Sequence, residues 1–430
     1  MINPIFKIGG TGKWGVKKNR VVSYQKNDNT NLYRAQNLTF SRNSGGVRIS
    51  QDGVYDWLQN GVNYPRIIWK DNKQCLILEN QISNLLDNPV SFDAWATAIG
   101  AVPTVTESLK PSIFGERGSI KAWDIIPNTT SGAQQIYEFG LGDGTAGRYS
   151  VIAESNGYNY LSLGYSGGRG GSDIIFDLKN GIISTVGFGS YDPRIIDLGN
   201  GKYLCSIAFG AGNASVWIIV RNGNTTADFA GDGTSGVTIH HAQLSYGNQW
   251  YNTPLVNFQA SSSAVTKAKD SLSQGFNDDG YWLPQKEGTI IWRGFITGEG
   301  ELIQLNRSTA YSIHTWVDDI NGTYYIRGGS YNNSTFSPTI TTTDCIIEPN
   351  TFIEFGYSFK NGEQILVVNG NNQVSTSGVI DNDQIITGIF FNQGGYVMGT
   401  GADCFMEGVE LYDYAMTTLE LQAETTKGSG

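Results

Sequence analysis

Charge is scarce in this chain. Only 16% of its 430 residues are Asp, Glu, Lys or Arg, and the balance is acidic, with a formal net charge of −10. A duplex-DNA binder needs a basic face to displace counterions. The one small cluster, "KWGVKKNR" (Lys13 to Arg20), reads as a solvated arm, so no nucleic-acid partner is expected. Cysteine numbers 4, at Cys75, Cys205, Cys345 and Cys404, far apart and beside apolar residues. No C-x-x-C and no His/Cys pair at zinc spacing occurs. Buried free thiols are expected, with a Cys345–Cys404 disulfide as the alternative. No apolar run approaches the ~20 residues of a membrane span. The opening "MINPIFKIGG" lacks the charged and apolar regions of a secretory signal. A soluble protein made in a cytoplasm, without membrane insertion, is the expectation.

Long stretches with helical spacing are nearly absent as well. Glycine is abundant instead, at 55 residues, and aromatics make up 12%. Asn-Gly recurs at Asn60, Asn156, Asn180, Asn200, Asn222, Asn321, Asn361 and Asn369. Asn-Gly favours tight hairpins because both residues tolerate positive φ. Short strand-like pieces such as "QQIYEFGL", "RYSVIAE", "YLCSIAFG" and "ASVWIIVRNG" follow at roughly 8 to 15 residue spacing. The profile predicts an all-β protein of two β-sandwich domains behind an irregular N-terminal segment. The expected divisions are an attachment segment over 1–85, a jelly-roll sandwich over 86–258, a small and polar linker over 259–280, and a second sandwich over 281–427. "RIIW" and "CLILEN" are the apolar pieces of the first segment, which is too thin for a core of its own and is expected to pack on a neighbouring domain or subunit. "FIEFGYSF", Asn361-Gly362 and "EQILVVNG" form the clearest hairpin. Thr417 with Glu420 is a capping box that predicts a short closing helix.

Several motifs invite chemistry. "GDGTSG" (Gly231 to Gly236), nearly repeated at Gly142 to Gly147, fits a dinucleotide loop. Strand-like rather than helical sequence follows each copy, so both read as glycine-rich turns in which Asp bonds its own backbone. "GYSGG" (Gly164 to Gly168) fits a nucleophile elbow, but "GGRGGS" behind it starts a helix poorly. His240 and His241 are adjacent on a strand and are expected on opposite faces, and His314 reads as a packed strand histidine. Glu116, Glu138, Glu154, Asp318, Asp319 and Asp403 show no spacing that singles out a glycosidase pair. Ca2+ is a possible ligand of the turns in "WVDDINGT" and "GTGADC", although Asx-turns that satisfy their own backbone are the favoured reading; no other cofactor is expected. Sugar rings present apolar faces that stack on exposed aromatics flanked by polar partners. "NGYNYLSLGYSGGRGG" offers Tyr158, Tyr160, Tyr165 and Arg169, with Tyr158 and Tyr160 on one strand face. "HTWVDDINGTYYIRGGSYNN" offers Trp316, Tyr324 and Tyr331. Trp123 and Trp217 read as core.

Three segments carry a resemblance. "FAGDGTSGVTIHHAQLSYGNQWYNTPLVNFQASSSAVTKAKDSLS" resembles the end of a carbohydrate-binding-module-like jelly roll of bacteriophage structural proteins. Val265, Thr266, Lys267, Ala268 and Asp270 stand in its linker pattern, with Lys for the usual Arg. "YPRIIWKDNKQCLILENQISNLLDNPVSFDAW" resembles the lead-in of the same proteins. "QILVVNG" and "VELYDYAMTTLELQAET" resemble a concanavalin A-like (laminin-G-like) sandwich and its closing helix. The resemblance spans about Phe40 to Thr426. It implies a non-enzymatic virion protein, a head or tail fibre subunit that adheres to host-surface glycans. It also implies a homo-oligomer, with a trimer favoured, held to other virion proteins through the N-terminal segment. A capsid decoration or cement protein without ligand is the alternative, and a glycan-degrading enzyme is a further one.

Overall fold

The computed structural model describes residues 6–9, 24–27, 32–35, 39–42, 46–49, 55–58, 65–79, 82–87, 89–97, 101–114, 120–139, 146–167, 174–185, 191–209, 213–224, 228–246, 265–267, 270–275, 287–305, 311–320, 323–332, 335–336, 345–376, 388–391, 401–412 and 414–426. The chain divides into two units. The first comprises Met1–Gln51, Gln59–Gln81 and Ala268–Gly430, and the second comprises Asp52–Leu58 and Ile82–Lys267. Both are built from antiparallel sheets, as expected.

In the second unit, one sheet runs Ala96–Thr97, Gly132–Phe139, Asn213–Arg221, Tyr160–Gly167, Ile174–Asp177, Ile182–Thr185. The other runs Thr104–Glu107, Trp123–Ile126, Gly236–Tyr246, Gly147–Asn156, Lys202–Phe209, Tyr191–Asp197. Alternate residues of both face one core: Tyr149, Val151, Ala153, Cys205 and Ile207 from the second sheet meet Ile136, Leu161, Leu163, Val216 and Ile218 from the first. Burying each such aliphatic side chain contributes about 1.5–3 kcal/mol. The long strand Gly236–Tyr246 holds its alternation through a bulge. Ile239 pairs with Ala153 and His241 with Ile152, so His240 is the extra residue. Val237 and Ile239 point inward before the bulge, and Ala242 and Leu244 after it.

The first unit is a second sandwich. One sheet follows the order Asn372–Thr376, Glu363–Val368, Phe352–Lys360, Gly288–Ile296, Cys404–Tyr412, Lys73–Leu78, Arg66–Lys70, with Phe6–Gly9 also paired to Cys404–Tyr412. The facing sheet follows Thr335–Phe336, Thr323–Asn332, Tyr311–Ile320, Gly300–Leu305, Gly388–Phe391, Ser271–Gly275, Thr39–Ser41. Ile290, Trp292, Phe355, Tyr357 and Val409 meet Leu305, Ile313, Val317, Tyr324 and Phe391 between them. The helix Thr418–Glu424 starts at the expected capping box, with both reciprocal bonds present. It seats Leu421 against Ile291, Ile365, Val367 and Met416.

The chain divisions differ from the sequence reading in two places. Arg66–Lys70 and Lys73–Leu78 are not part of a separate irregular segment; they form a hairpin that joins the sheet of Cys404–Tyr412. Asp71 and Asn72 close it at φ 49° and 61°, the positive pair that a two-residue primed turn demands. The expected linker also carries structure, with strands Val265–Lys267 and Ser271–Gly275 and a fully buried Asp270 between them. At the Asn361-Gly362 hairpin only Gly362 has positive φ, 81°, which fits a type II turn.

Candidate functional site

The aromatic residues singled out for stacking are mostly inside. Tyr165 is 8% exposed and packs on Phe209 with ring centroids 5.1 Å apart. Tyr158 does not share a face with Tyr160: its ring packs on the core against Phe229, at 5.2 Å. Tyr324 lies in the core of the first unit, and Trp316 is also buried. Tyr160 is half-buried on the outer face of its sheet, opposite Arg221 and Asp177. Tyr331 stands in the strand Thr323–Asn332, its side chain outside the described residues, as is Arg169.

Among the described residues, an outward-facing aromatic strip lies on three other residues. Ile136 and Ile218 face the core, so Tyr137, Phe139 and Trp217 project from the opposite face of that sheet. Tyr137 stands opposite Trp217 across the ladder. The rings of Tyr137 and Phe139 lie 4.3 Å apart at 67°. Phe139 is 64% exposed, while Tyr137 and Trp217 are half-buried. On the other flank of Trp217 the ladder partner is Gly164. Gln135, half-buried, is the next outward residue beside Tyr137 and supplies an amide. Further along the face, Arg221 donates through Nε to Ser162 Oγ at 2.6 Å. Three adjoining rings with an amide beside them make a surface on which the C–H face of a sugar can stack. Trp217 is therefore not core as the apolar run around it suggested, and Trp123, also half-buried, donates its indole N–H to the Val90 carbonyl.

The titratable clusters are structural in their contacts. His240 and His241 both lie on the outer face of their sheet, because the bulge places two successive residues on one side, and both are buried. His240 Nδ1 accepts from the Ile113 amide at 3.1 Å, and its Nε2 lies 3.4 Å from Glu154. His241 packs edge-on to Phe114. Burial pushes both imidazoles down, His241 furthest. Burial would raise Glu154, but His240, Lys202 and Lys110 hold its carboxyl below the usual range. In the first unit His314 bridges Ser312 Oγ, at 2.5 Å, and the Glu301 carboxylate. This Ser–His–Glu chain has the connectivity of a nucleophile relay, yet Ser312 and His314 are fully buried. "GYSGG" continues the strand Tyr160–Gly167, with Ser166 paired to Ser215, rather than turning at Ser166.

The glycine motif resolves as a turn. Asp232 Oδ1 accepts from Thr234 N at 2.8 Å and Ser235 N at 2.6 Å in an Asx-turn, and the Ser235 side chain together with these amides holds its carboxyl well below the usual range. A Cβ at Gly236 would collide with the Ile125 carbonyl, which is why glycine stands there. Residues 142–145 of the second copy lie outside the described residues, as does Glu116. Among the described residues no group of three or more His, Cys, Asp or Glu is placed to hold a metal ion. Asp318 instead pairs with Arg327 at 2.6 Å. All four cysteines are free and buried.

No family model matches the chain. No curated protein matches it either. Among solved structures it is similar to domain 4 of AbnA, an extracellular arabinanase from Geobacillus stearothermophilus solved with arabinotriose. That likeness has 12% identity and a TM-score of 0.30, over 36% of this chain and 73% of that one. It is similar to the receptor binding domain of botulinum neurotoxin C/D mosaic serotype at 13% identity and a TM-score of 0.24, over 36% of this chain and 40% of that one. It is similar to the LG1-3 region of the laminin alpha2 chain at 11% identity and a TM-score of 0.23, over 67% and 66% of the two chains. At this level none of the three bears on what this chain binds.

Proposed function

We propose that this chain is a non-enzymatic bacteriophage virion protein, a fibre subunit that adheres to host-surface glycans. The observation that carries adhesion is the outward strip of Tyr137, Phe139 and Trp217 on a sheet face, with Phe139 64% exposed. Phe139, exposed beside two half-buried rings, gives that strip an apolar contact face. The placement on a virion rests on the sequence resemblance of Phe40 to Thr426, which also favours a trimer.

A glycan array tests the reading with the intact protein and two variants. Trp217→Ala removes the largest ring of the platform and is expected to weaken binding by about 10-fold or more, because a tenfold change needs only ~1.4 kcal/mol. Ile346→Ala trims an apolar residue that is 44% exposed elsewhere and is expected to leave binding unchanged. Thermal unfolding of both should match the parent. Absence of saturable sugar binding by the intact protein would leave the cement reading. Reducing-sugar release from host capsule would replace both with an enzyme.

A further inference from the structure

Four ionised side chains are buried together in the first unit. Arg66 Nη2 bonds Glu79 Oε2 at 2.7 Å and also the Asp270 carboxylate, and Arg42 Nη1 lies 3.2 Å from Asp270 Oδ1. Burial works against the Arg66 charge, but Asp270 and Glu79 more than offset it and hold the guanidinium above its ordinary value. Such a cluster is an expensive way to stabilise a core, since apolar residues of equal volume often do better. Its position is informative. The first unit's chain leaves just after Glu79 and returns just before Asp270, and Ile82–Lys267, all of the second unit except Asp52–Leu58, lies between. At that gap Asp270 N donates to the Glu79 carbonyl at 2.8 Å, and Glu79 N donates to Asp270 Oδ2 at 3.0 Å. On the far side of the gap, Ile82–Asn84 pairs antiparallel with Val265–Lys267 inside the second unit. Exit and return strands thus run side by side, and the first unit's two cut ends are bonded to each other directly.

We infer that residues 82–267 are an insert that opens and closes as an independent body, and that Arg42, Arg66, Glu79 and Asp270 are the closure that makes the first unit's fold indifferent to it. Without such a closure, the loop entropy of a long insert falls on the strands it interrupts. With it, the insert behaves as a recognition module that is free to diverge on a constant base.

The four buried thiols are built-in reporters for the full-length chain. Cys75, Cys345 and Cys404 belong to the first unit and Cys205 to the second. Native-state alkylation with iodoacetamide, read peptide by peptide by mass spectrometry, gives the opening rate at each. Asp270→Asn leaves two buried guanidinium groups short of a carboxylate. It is expected to speed labelling of Cys75 and Cys404 by about 100-fold or more, with Cys205 within about twofold. Val151→Ala, in the second unit's core, is expected to speed Cys205 by about 10-fold or more and leave the other three unchanged. If Asp270→Asn unfolds the first unit outright, Cys205 alone should stay protected. Acceleration of all four thiols together in either variant overturns independence. Unchanged Cys75 and Cys404 in Asp270→Asn overturns the closure.

Discussion

Glu138 lies between Tyr137 and Phe139 in sequence but on the other side of the strand, with its Oε1 accepting from the Asp87 amide at 2.7 Å. Burial pushes its carboxyl up to about 7 from an ordinary 4.5. The folded state therefore binds a proton that the unfolded chain has already lost, so this group favours folding less as pH rises from about 4.5 to 7. The full shift is worth at most ~3 kcal/mol, and partial solvent access cuts that to about 1. Glu138→Gln is expected to raise the urea midpoint of the second unit at pH 8 and leave it unchanged at pH 4.5. A variant that tracks the parent at both pH values removes this assignment. At this scale the sequence was readable where the cause is local. The Thr417–Glu420 box, the Asx-turn at Asp232 and the thiols packed among apolar neighbours are each settled within a few residues. Tyr137 and Trp217 were not readable as a pair, because they meet only through the ladder between Gly132–Phe139 and Asn213–Arg221. The apolar run "SVWIIV" suggests core at every position, while only Val216 and Ile218 of the pair-wise alternation around Trp217 face inward.

Strands were legible as elements because alternation and turn residues are short-range signals, and the Asn361-Gly362 hairpin has the expected partners. The bulge was not, since the parity change between Val237, Ile239 and Ala242, Leu244 in "VTIHHAQL" does not say which residue is the extra one. This makes a sharp prediction. Deleting His240 removes the extra residue and leaves Ala242 and Leu244 facing the core. The cost is limited to the bond from the Ile113 amide and the Glu154 contact, about 1–2 kcal/mol. Deleting Ala242 instead turns Gln243 inward and Leu244 outward, and is expected to unfold the second unit. Alkylation of Cys205 distinguishes them: protection should survive the first deletion and vanish in the second. Equal effects of the two deletions would contradict the pairing of Ile152 with His241.

Over the whole molecule, a discontinuous unit is invisible to any local pattern. "RIIW" and "CLILEN" announce that they need a partner, yet nothing near them says that it is Cys404–Tyr412. Arg66–Lys70 and Lys73–Leu78, expected in the anchor over 1–85, belong to a sandwich for that reason. The proposed adhesive surface is small by comparison, with three rings in each chain. A platform of that size supports a single-site Kd near millimolar, about −4 kcal/mol, after the cost of ordering a flexible sugar. Retention on a cell therefore requires several platforms acting at once, which the proposed trimer supplies. Linked sites gain about 100- to 10,000-fold when geometry lets them engage together. Binding of a monosaccharide in solution is thus expected near millimolar by calorimetry, and binding to a dense glycan surface at least about 100-fold tighter. Trp217→Ala should lower the surface value more steeply than the solution value, because each lost increment is multiplied across the engaged subunits. A chain that sediments as a monomer, with equal solution and surface affinities, would leave the platform too weak to hold a particle and would refute adhesion as its role.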